Sequence, residues 1–563
     1  MSETTSRTDC DVLVVGAGPT GLTLAAHLLA RGVRTRIVVM GPGLPRLSRA
    51  IGIQPRTLET LDMMGIADRF LDAGHRVRAL NVYSGGRRRI GIDMAYSGSS
   101  YRFMLHLPQH RTEALLRERV GELGGTVEAG VELVGLADDG HVVAATVRDV
   151  PGLEHEVTAS FVVGCDGAHS RVRHLLDAPF VGQPYPWDWL LADVHLDWTG
   201  RSDEVHVFTR PDGLPLACIP ISGRLWRLSL PTPGDREGRA PTLAEIQGLV
   251  DERGPGGMVV SDPEVLTCFR CQLRSTSVYR RGRVLLAGDA VHIHSPAGGQ
   301  GMNTGILDAA NLGWKLAAVL SRQATDDLLD TYGTERGPVA QQVLGFTQAM
   351  VAFGTARPSL RRTVRNATLP AFRLPRVQRR LAGRMSQVAV RYPSSPLNRP
   401  GLVRGLPRPG DRMPDVGLVS ASGPATLYAA LRRGGHVALE SFRGTVLVRP
   451  DGYVAAVAGA DAASWNTQGP PLQLETVPRA RRWSSDARHV ARLALAARAD
   501  RDRDLAACLA GLEATHGIRH LIQGVGAVDP RRDLALRDEG GEPFEIGRVN
   551  GGEKHPEARA TEA

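Results

Sequence analysis

Three stretches of this chain carry residue types at spacings that could do chemistry. Gly16-Ala-Gly18-Pro19-Thr20-Gly21 has the G-x-G-x-x-G pattern. Glycines so placed let the chain turn tightly, let a pyrophosphate approach the backbone, and let a helix pack close to the preceding strand. An ordinary tight turn between strand and helix is the alternative reading. Cys165-Asp166-Gly167 and Gly288-Asp289 each follow an apolar run, and a carboxylate at the end of a buried strand can bond sugar or ribityl hydroxyls. After Asp289 comes the loop Ser295-Pro296-Ala-Gly298-Gly299-Gln300-Gly301-Met302-Asn303. Unpaired N–H groups of Gly301 to Asn303, at a helix start, can stabilise negative charge developing on a bound ring.

The elements predicted around these residues would position them. Asp11–Val15 is a β-branched apolar run, read as a buried parallel strand, and Leu22–Arg31 reads as a helix closed by Gly32. A dinucleotide site commonly has an acidic residue at the end of the next strand. Here that strand, Arg34–Met40, ends on Val39 and Met40, so the ribose would be held by water, by backbone, or more loosely. Phe161–Gly164 and Arg283–Ala287 read as further buried strands, and a long helix is predicted from near Asn303 through Leu316. Residues 181–275 turn to short strands (Glu204–Phe208, Ala217–Ile221 and Leu225–Leu230), the pattern of an antiparallel sheet.

Composition removes several classes of function. The chain has 563 residues, 42% of them hydrophobic, enough for several domains. No run approaches 18 apolar positions, and Met1–Cys10 lacks a signal-peptide layout, so no membrane partner is expected. Six scattered cysteines fit a reducing compartment, and cytoplasmic residence is the expectation. The formal charge is +9, but Lys315 and Lys554 are the only lysines, and the short arginine clusters have no interleaved aromatics. That argues against nucleic acid. It also excludes a Schiff-base lysine from the first 314 residues. His292 and His294 lack an evident third ligand, so no metal is expected. In Cys268-Phe-Arg-Cys271 the two thiols would face opposite sides of a strand, against zinc or redox use.

The three motifs together resemble the FAD-binding set of class A flavoprotein monooxygenases, the single-component aromatic hydroxylases of the para-hydroxybenzoate and phenol hydroxylase group. Arg281–Leu316 is similar to the subgroup that tailors aromatic polyketides, and the resemblance spans roughly residues 10 to 455. It implies an α/β fold: a Rossmann-type FAD-binding domain (1–180 with 276–350, interrupted by sheet elements near 75–110) and an antiparallel-sheet substrate domain (181–275). A helical segment (351–400) and a thioredoxin-like domain (401–460) would follow, with 461–563 unassigned. Gly16, Gly18, Pro19, Thr20 and Gly21 would line the FAD pyrophosphate. Arg49 would bind a phosphate, or else be a solvated turn residue. Gln109 would sit beside the flavin, or else cap the surface. Asp166 would serve FAD and the transient approach of NADPH, and Asp289 the ribityl or pyrophosphate region. Pro296, Gly299, Gly301, Met302 and Asn303 would face the isoalloxazine ring.

The activity implied is oxygenation of a phenolic or polycyclic aromatic by non-covalent FAD, NADPH or NADH, and O2, through a flavin C4a-hydroperoxide. Baeyer–Villiger oxygenation of a polyketide ketone, oxidative inactivation of an antibiotic, and a non-catalytic scaffold are the rivals. Trp187, Phe208 and Trp226, with Pro296, are candidates to line the substrate cavity, each competing with a plain core role; no catalytic base is singled out. Trp187-Asp-Trp189 resembles the W-x-W element of flavin halogenases, but Leu191-Ala192 follows where Ile-Pro should, and the lysine those enzymes need is absent. Residues 395–410 read as a linker. The thioredoxin-like region has no cysteine pair, which leaves homodimer contact or scaffolding for it.

Overall fold

A computed structural model describes residues 8–41, 50–149, 152–210, 214–234, 236, 238–296, 298–354, 374–420, 423–441, 443–459 and 475–477. The helices that matter for the site are α1 (Pro19–Leu29), α2 (Pro55–Met63), α3 (Gln109–Glu122), α4 (Leu243–Arg253), α5 (Gly301–Leu320), α6 (Asp330–Gly354) and α7 (Pro375–Met385).

The first sheet has eight strands. Cys10–Val15 lies at its centre, parallel to Thr35–Val39 on one side and Glu154–Gly164 on the other; Val284–Leu286 adds in parallel beyond. These strands are buried along most of their length, with Val12, Leu13, Val14, Ile37, Val38, Val162, Val163, Leu285 and Leu286 all in one core cluster, as the near-continuous apolar runs of a central parallel sheet require. α1 starts three residues earlier than its apolar pattern suggested, at Pro19, whose fixed φ and missing N–H suit a first helical position. It ends where Gly32 takes φ +72.

The second sheet also has eight strands and is not built from residues 181–275 alone. Its long central strands Val181–Asp197, Val259–Ser275 and Leu225–Pro233 pair antiparallel. At one edge Ala79–Ser84 pairs in parallel with Glu204–Thr209, and Arg87–Asp93 follows it. The segments near 75–110 thus do more than interrupt the first domain, since two of them extend the second sheet. At the other edge His292–Ile293 pairs with Arg274 and Ser275, so the segment after Asp289 leaves the first sheet for the second.

α7 ends at Met385, and residues 386–400 form packed turns rather than helix. The expected linker is also held: Tyr392 N–H bonds Gly410 O (2.9 Å) and Arg399 N–H bonds Ala455 O (3.0 Å). Beyond it lie a hairpin (Gly417–Ser420 with Gly423–Thr426), the short helix Leu427–Leu431 and a four-stranded mixed sheet. This sheet reaches back to α5 and α6 through buried charges. Arg449 bonds Glu335 (2.5 and 2.9 Å), which also receives Lys315 Nζ (2.8 Å). Buried charges persist only when paired and hydrogen-bonded in this way. Among the described residues no helix is long and apolar enough to cross a membrane.

Candidate functional site

The glycines of the first motif divide by what a side chain would meet. A Cβ at Gly16 (φ +105) would stand 2.4 Å from Cys165 O, and one at Gly21 1.9 Å from Gly16 O. Those two let the strand, the turn and α1 close on one another. A Cβ at Gly18 would meet nothing within 4 Å. Gly18 is the N-cap of α1 and makes no side-chain cap. The first N–H groups of the helix therefore face an opening, with the positive end of the helix dipole behind them. Thr20 packs into the third motif: Cβ atoms at Gly288 and Gly305 would lie 2.5 and 2.2 Å from its Oγ1.

Asp289 sits exposed on the turn Gly288–Ala290, directly after the strand Val284–Leu286. The turn is held by Asp308 of α5, whose Oδ2 accepts from Gly288 N–H (3.1 Å) and His292 Nε2 (2.8 Å) and whose Oδ1 accepts from Arg336 Nε (2.6 Å). Burial works to raise the Asp308 pKa, but Arg336 and His292 outweigh it and keep it below the usual carboxylate range. Asp166 Oδ2 accepts from Arg171 N–H (2.6 Å) and Val172 N–H (3.1 Å), while Oδ1 has no protein partner. Burial pushes the Asp166 carboxyl upward. Arg173 donates to Ala168 O (2.9 Å) and Ala290 O (3.0 Å), joining the second motif to the third.

The glycine loop is clamped by uncharged amides. Gly299 N–H closes a turn on Pro296 O (3.0 Å), with Gly298 and Gly299 both left-handed (φ +79 and +61). Gln54 and Gln300 donate to Gly298 O (3.1 and 2.7 Å). Asn303 donates to Gly299 O (2.7 Å) and Gly52 O (2.8 Å) and accepts from Gln54 N–H (2.8 Å). The first bond of α5 is Thr304 N–H to Gln300 O (2.9 Å), so the N–H groups of Gly301, Met302 and Asn303 have no acceptor within the helix. His294 is pushed down to about 4 by burial. Being neutral, it donates Nδ1–H to Ser295 O (2.8 Å), which leaves Nε2 an unpartnered acceptor. Gln109 opens α3, accepting from Ala50 N–H (3.2 Å) and donating to Glu113 Oε1 (2.9 Å). Arg49 lies outside the described residues. Thr35–Val39 ends without a carboxylate, and Met40 is 70% exposed.

The second sheet presents Trp189, with Tyr185, Trp187, Phe269 and Cys271, on one face. The Tyr185 hydroxyl neighbours Ser295, which places this face towards the glycine loop. Asp193 and Arg227 alternate onto the same face as a buried bidentate pair (2.7 and 2.8 Å). Phe208 and Trp226 do not share it. They pack with Trp198, Leu228 and Leu230 against Ile246 and Val250 of α4, and Trp226 is 3% exposed. Period-two alternation is the reason: Trp226, Leu228 and Leu230 point together, so a tryptophan in that series belongs to the α4 core. The same signal would have found Arg227, which lies between them. Cys268 and Cys271 fall in the two opposite clusters, as their spacing requires. Among the described residues no group of three or more His, Cys, Asp or Glu could hold a metal ion.

The donor set fits a dinucleotide that ends in a ring able to carry negative charge. It combines an open helix terminus for phosphates, an exposed carboxylate for hydroxyls, and a second helix terminus behind a glycine loop. A sequence family described as "FAD binding domain" matches residues 9–347. The chain is 41% identical over 397 residues to a 6-methylpretetramide 4-monooxygenase of Streptomyces rimosus, covering 69% of this chain and 70% of that protein. It is 36% identical to a rifampicin monooxygenase of Streptomyces venezuelae, covering 68% of this chain and 79% of the relative. The solved structure of the anhydrotetracycline hydroxylase from Streptomyces rimosus superposes with a TM-score of 0.67 at 31% identity, covering 80% of this chain and 96% of that one.

Proposed function

Because the chain belongs to the family of the FAD-binding domain and is a flavoprotein monooxygenase, we propose that it oxygenates a phenolic or polycyclic, polyketide-type aromatic at the expense of NADPH or NADH. The balance is substrate–H + NAD(P)H + H⁺ + O2 to substrate–OH + NAD(P)⁺ + H2O. FAD, held non-covalently, would supply the redox chemistry when bound, namely hydride acceptance from the nicotinamide and O2 activation.

The chain's own groups have five tasks. The N–H groups behind Gly18 bind the pyrophosphate, with Gly16, Pro19, Thr20 and Gly21 shaping the cradle. Asp289 accepts from ribityl or ribose hydroxyls. The N–H groups of Gly301 to Asn303 stabilise negative charge on the ring, and the amide clamp holds Gly298 and Gly299 so that those groups stay in place. The Trp189 face of the second sheet covers the ring and keeps water from it. Asp166, with its unpartnered Oδ1 beside the turn tied down by Arg173, is proposed to serve nicotinamide approach. The observation that carries the reading is that two uncapped helix termini, α1 at open Gly18 and α5 at the glycine loop, flank one exposed carboxylate. For residues 401–460, the mixed sheet in which Val437–Ser441 pairs parallel with Glu475–Val477 and antiparallel with Gly444–Val448 supports the thioredoxin-like reading, with dimer contact or scaffolding as its role.

A second reading, oxygenation of a finished antibiotic, draws on the identity to the rifampicin monooxygenase. One experiment addresses both: NADPH and NADH oxidation by FAD-loaded protein across phenols, naphthoquinones, tetracyclic precursors and rifampicin, with product masses. Faster oxidation with a one-oxygen mass gain supports the enzyme reading and names the substrate. Product structure then separates hydroxylation from lactone formation. No acceleration by any aromatic refutes the proposed substrate class.

A further inference from the structure

Gln387 lies just after α7, far in sequence from every motif, and it is 1% exposed. It holds a left-handed backbone (φ +59) that a glutamine rarely adopts without a reason. Its Nε2 donates to Gln300 Oε1 (2.7 Å) and Thr304 Oγ1 (3.0 Å). Gln300 in turn donates from Nε2 to Gly298 O (2.7 Å) and Met385 O (3.0 Å). The orientation of both amides follows from their partners. Gln300 has two carbonyls to satisfy, so its Nε2 must face them and its Oε1 is left to face Gln387, which must turn its Nε2 towards that acceptor. Thr304 spends its proton on Gln300 O (2.9 Å), so its oxygen is free to accept. Ser386 O, next door, accepts from Arg56 N–H of α2 (3.1 Å), which anchors the segment from a second side.

We infer that Gln387 is a positioning residue for the flavin, acting through Gln300 to set the Gly298 carbonyl and hence the loop and helix terminus that face the ring. This rests on the reading that FAD lies against that loop. Every link in the relay is a neutral amide or hydroxyl. A relay of that kind fixes geometry without adding a charge beside a ring whose own charge changes when it is reduced. Without Gln387, Gln300 Oε1 is left buried and unpaired. The Gln300 side chain is then free to turn towards another donor and give up its bond to Gly298 O, which is left with the longer bond from Gln54 alone (3.1 Å).

The test is a double-mutant cycle read out on FAD itself. The measurements are the Kd for FAD added to apoprotein and the visible absorption band of the bound flavin. Gln387→Met, close in volume, is expected to raise Kd about tenfold, the effect of one net hydrogen bond lost from the bound state, and to shift the band. In a Gln300→Met background the same change should add nothing, because the relay is already broken. Gln387→Asn, which tolerates the left-handed backbone but is one methylene too short, should behave like Gln387→Met and guards against misfolding. Gln378→Met, on α7 but bonded to Asp93 N–H and Gly91 O, serves as a packing control and should leave Kd and band unchanged. Additive effects, or an unmoved Kd and band in both Gln387 variants, would overturn the relay. If Gly299→Ala and Gln300→Met also leave both unchanged, the placement of FAD against the loop fails instead.

Discussion

Gly18→Ala should separate what the first motif does for the fold from what it does for the ligand. Gly18 has φ −74 and ψ −178, a conformation alanine adopts freely, and its Cβ would meet nothing within 4 Å. The apoprotein should keep its stability or gain about 0.4–1 kcal/mol, because alanine restricts the unfolded chain more than glycine does. FAD binding should suffer, since the new methyl stands where the pyrophosphate must come close to the helix terminus. Pushing the phosphates off one charge-assisted hydrogen bond costs about 1.5–3 kcal/mol, or roughly 10- to 150-fold in Kd. Gly16→Ala is the counterpart. With φ +105 and a backbone oxygen 2.4 Å from the new Cβ, it should destabilise the apoprotein itself by more than the roughly 1–3 kcal/mol typical of backbone strain. Denaturant unfolding of both apoproteins, with FAD titrations followed by flavin fluorescence, gives the two numbers. A Gly18→Ala protein that binds FAD like the wild type, or that is itself unstable, would refute the reasoning.

Three further outcomes are expected. Asp289→Ala, at an exposed turn, should stay folded but purify with little FAD, weakened by roughly 10- to 150-fold if one charged hydrogen bond is lost; full occupancy would contradict its role. Trp226→Ala should cost about 3–5 kcal/mol of stability as a core truncation, measured by urea unfolding, with no selective change in KM among aromatic substrates; the opposite split would return it to the substrate cavity. Burial holds His27, His106 and His294 at about 3, about 4 and about 4, whereas unfolded histidines titrate near 6.5. Below pH ~6.5 the unfolded chain therefore binds protons that the folded chain does not, and stability should fall as pH drops from about 6.5 towards 4, by at most about 1.4 kcal/mol per pH unit for each histidine. A urea midpoint unchanged between pH 7.5 and 5 would refute this.

The parts of the site that could be read from the sequence are those whose chemistry is local. A G-x-G-x-x-G run between an apolar strand and a helix states its own geometry, because each glycine answers a backbone need within a few residues of itself. The Gly288–Asp289 turn and the loop to Asn303 were legible for the same reason. Even so, the boundaries moved, since Pro19 and Gly301 start their helices earlier than the apolar periodicity does. Contacts between distant segments could not be read. Gln54 meets Asn303 249 residues away, and Gln387 meets Gln300 87 residues away. A glutamine in a polar stretch carries no mark of which amide it will face.

The substrate sheet shows the division most plainly. Strand propensity and alternation give a two-faced sheet from the sequence alone, and parity groups Trp226 with Leu228 and Leu230. Which of the two faces looks onto the glycine loop was decided only when α4 covered one and Tyr185 met Ser295 on the other. The same holds for Ala79–Ser84, which is a strand by composition and joins the second sheet only by pairing with Glu204–Thr209. Period and backbone conformation are properties of a short stretch of chain. The choice of partner depends on free energy shared across the whole fold.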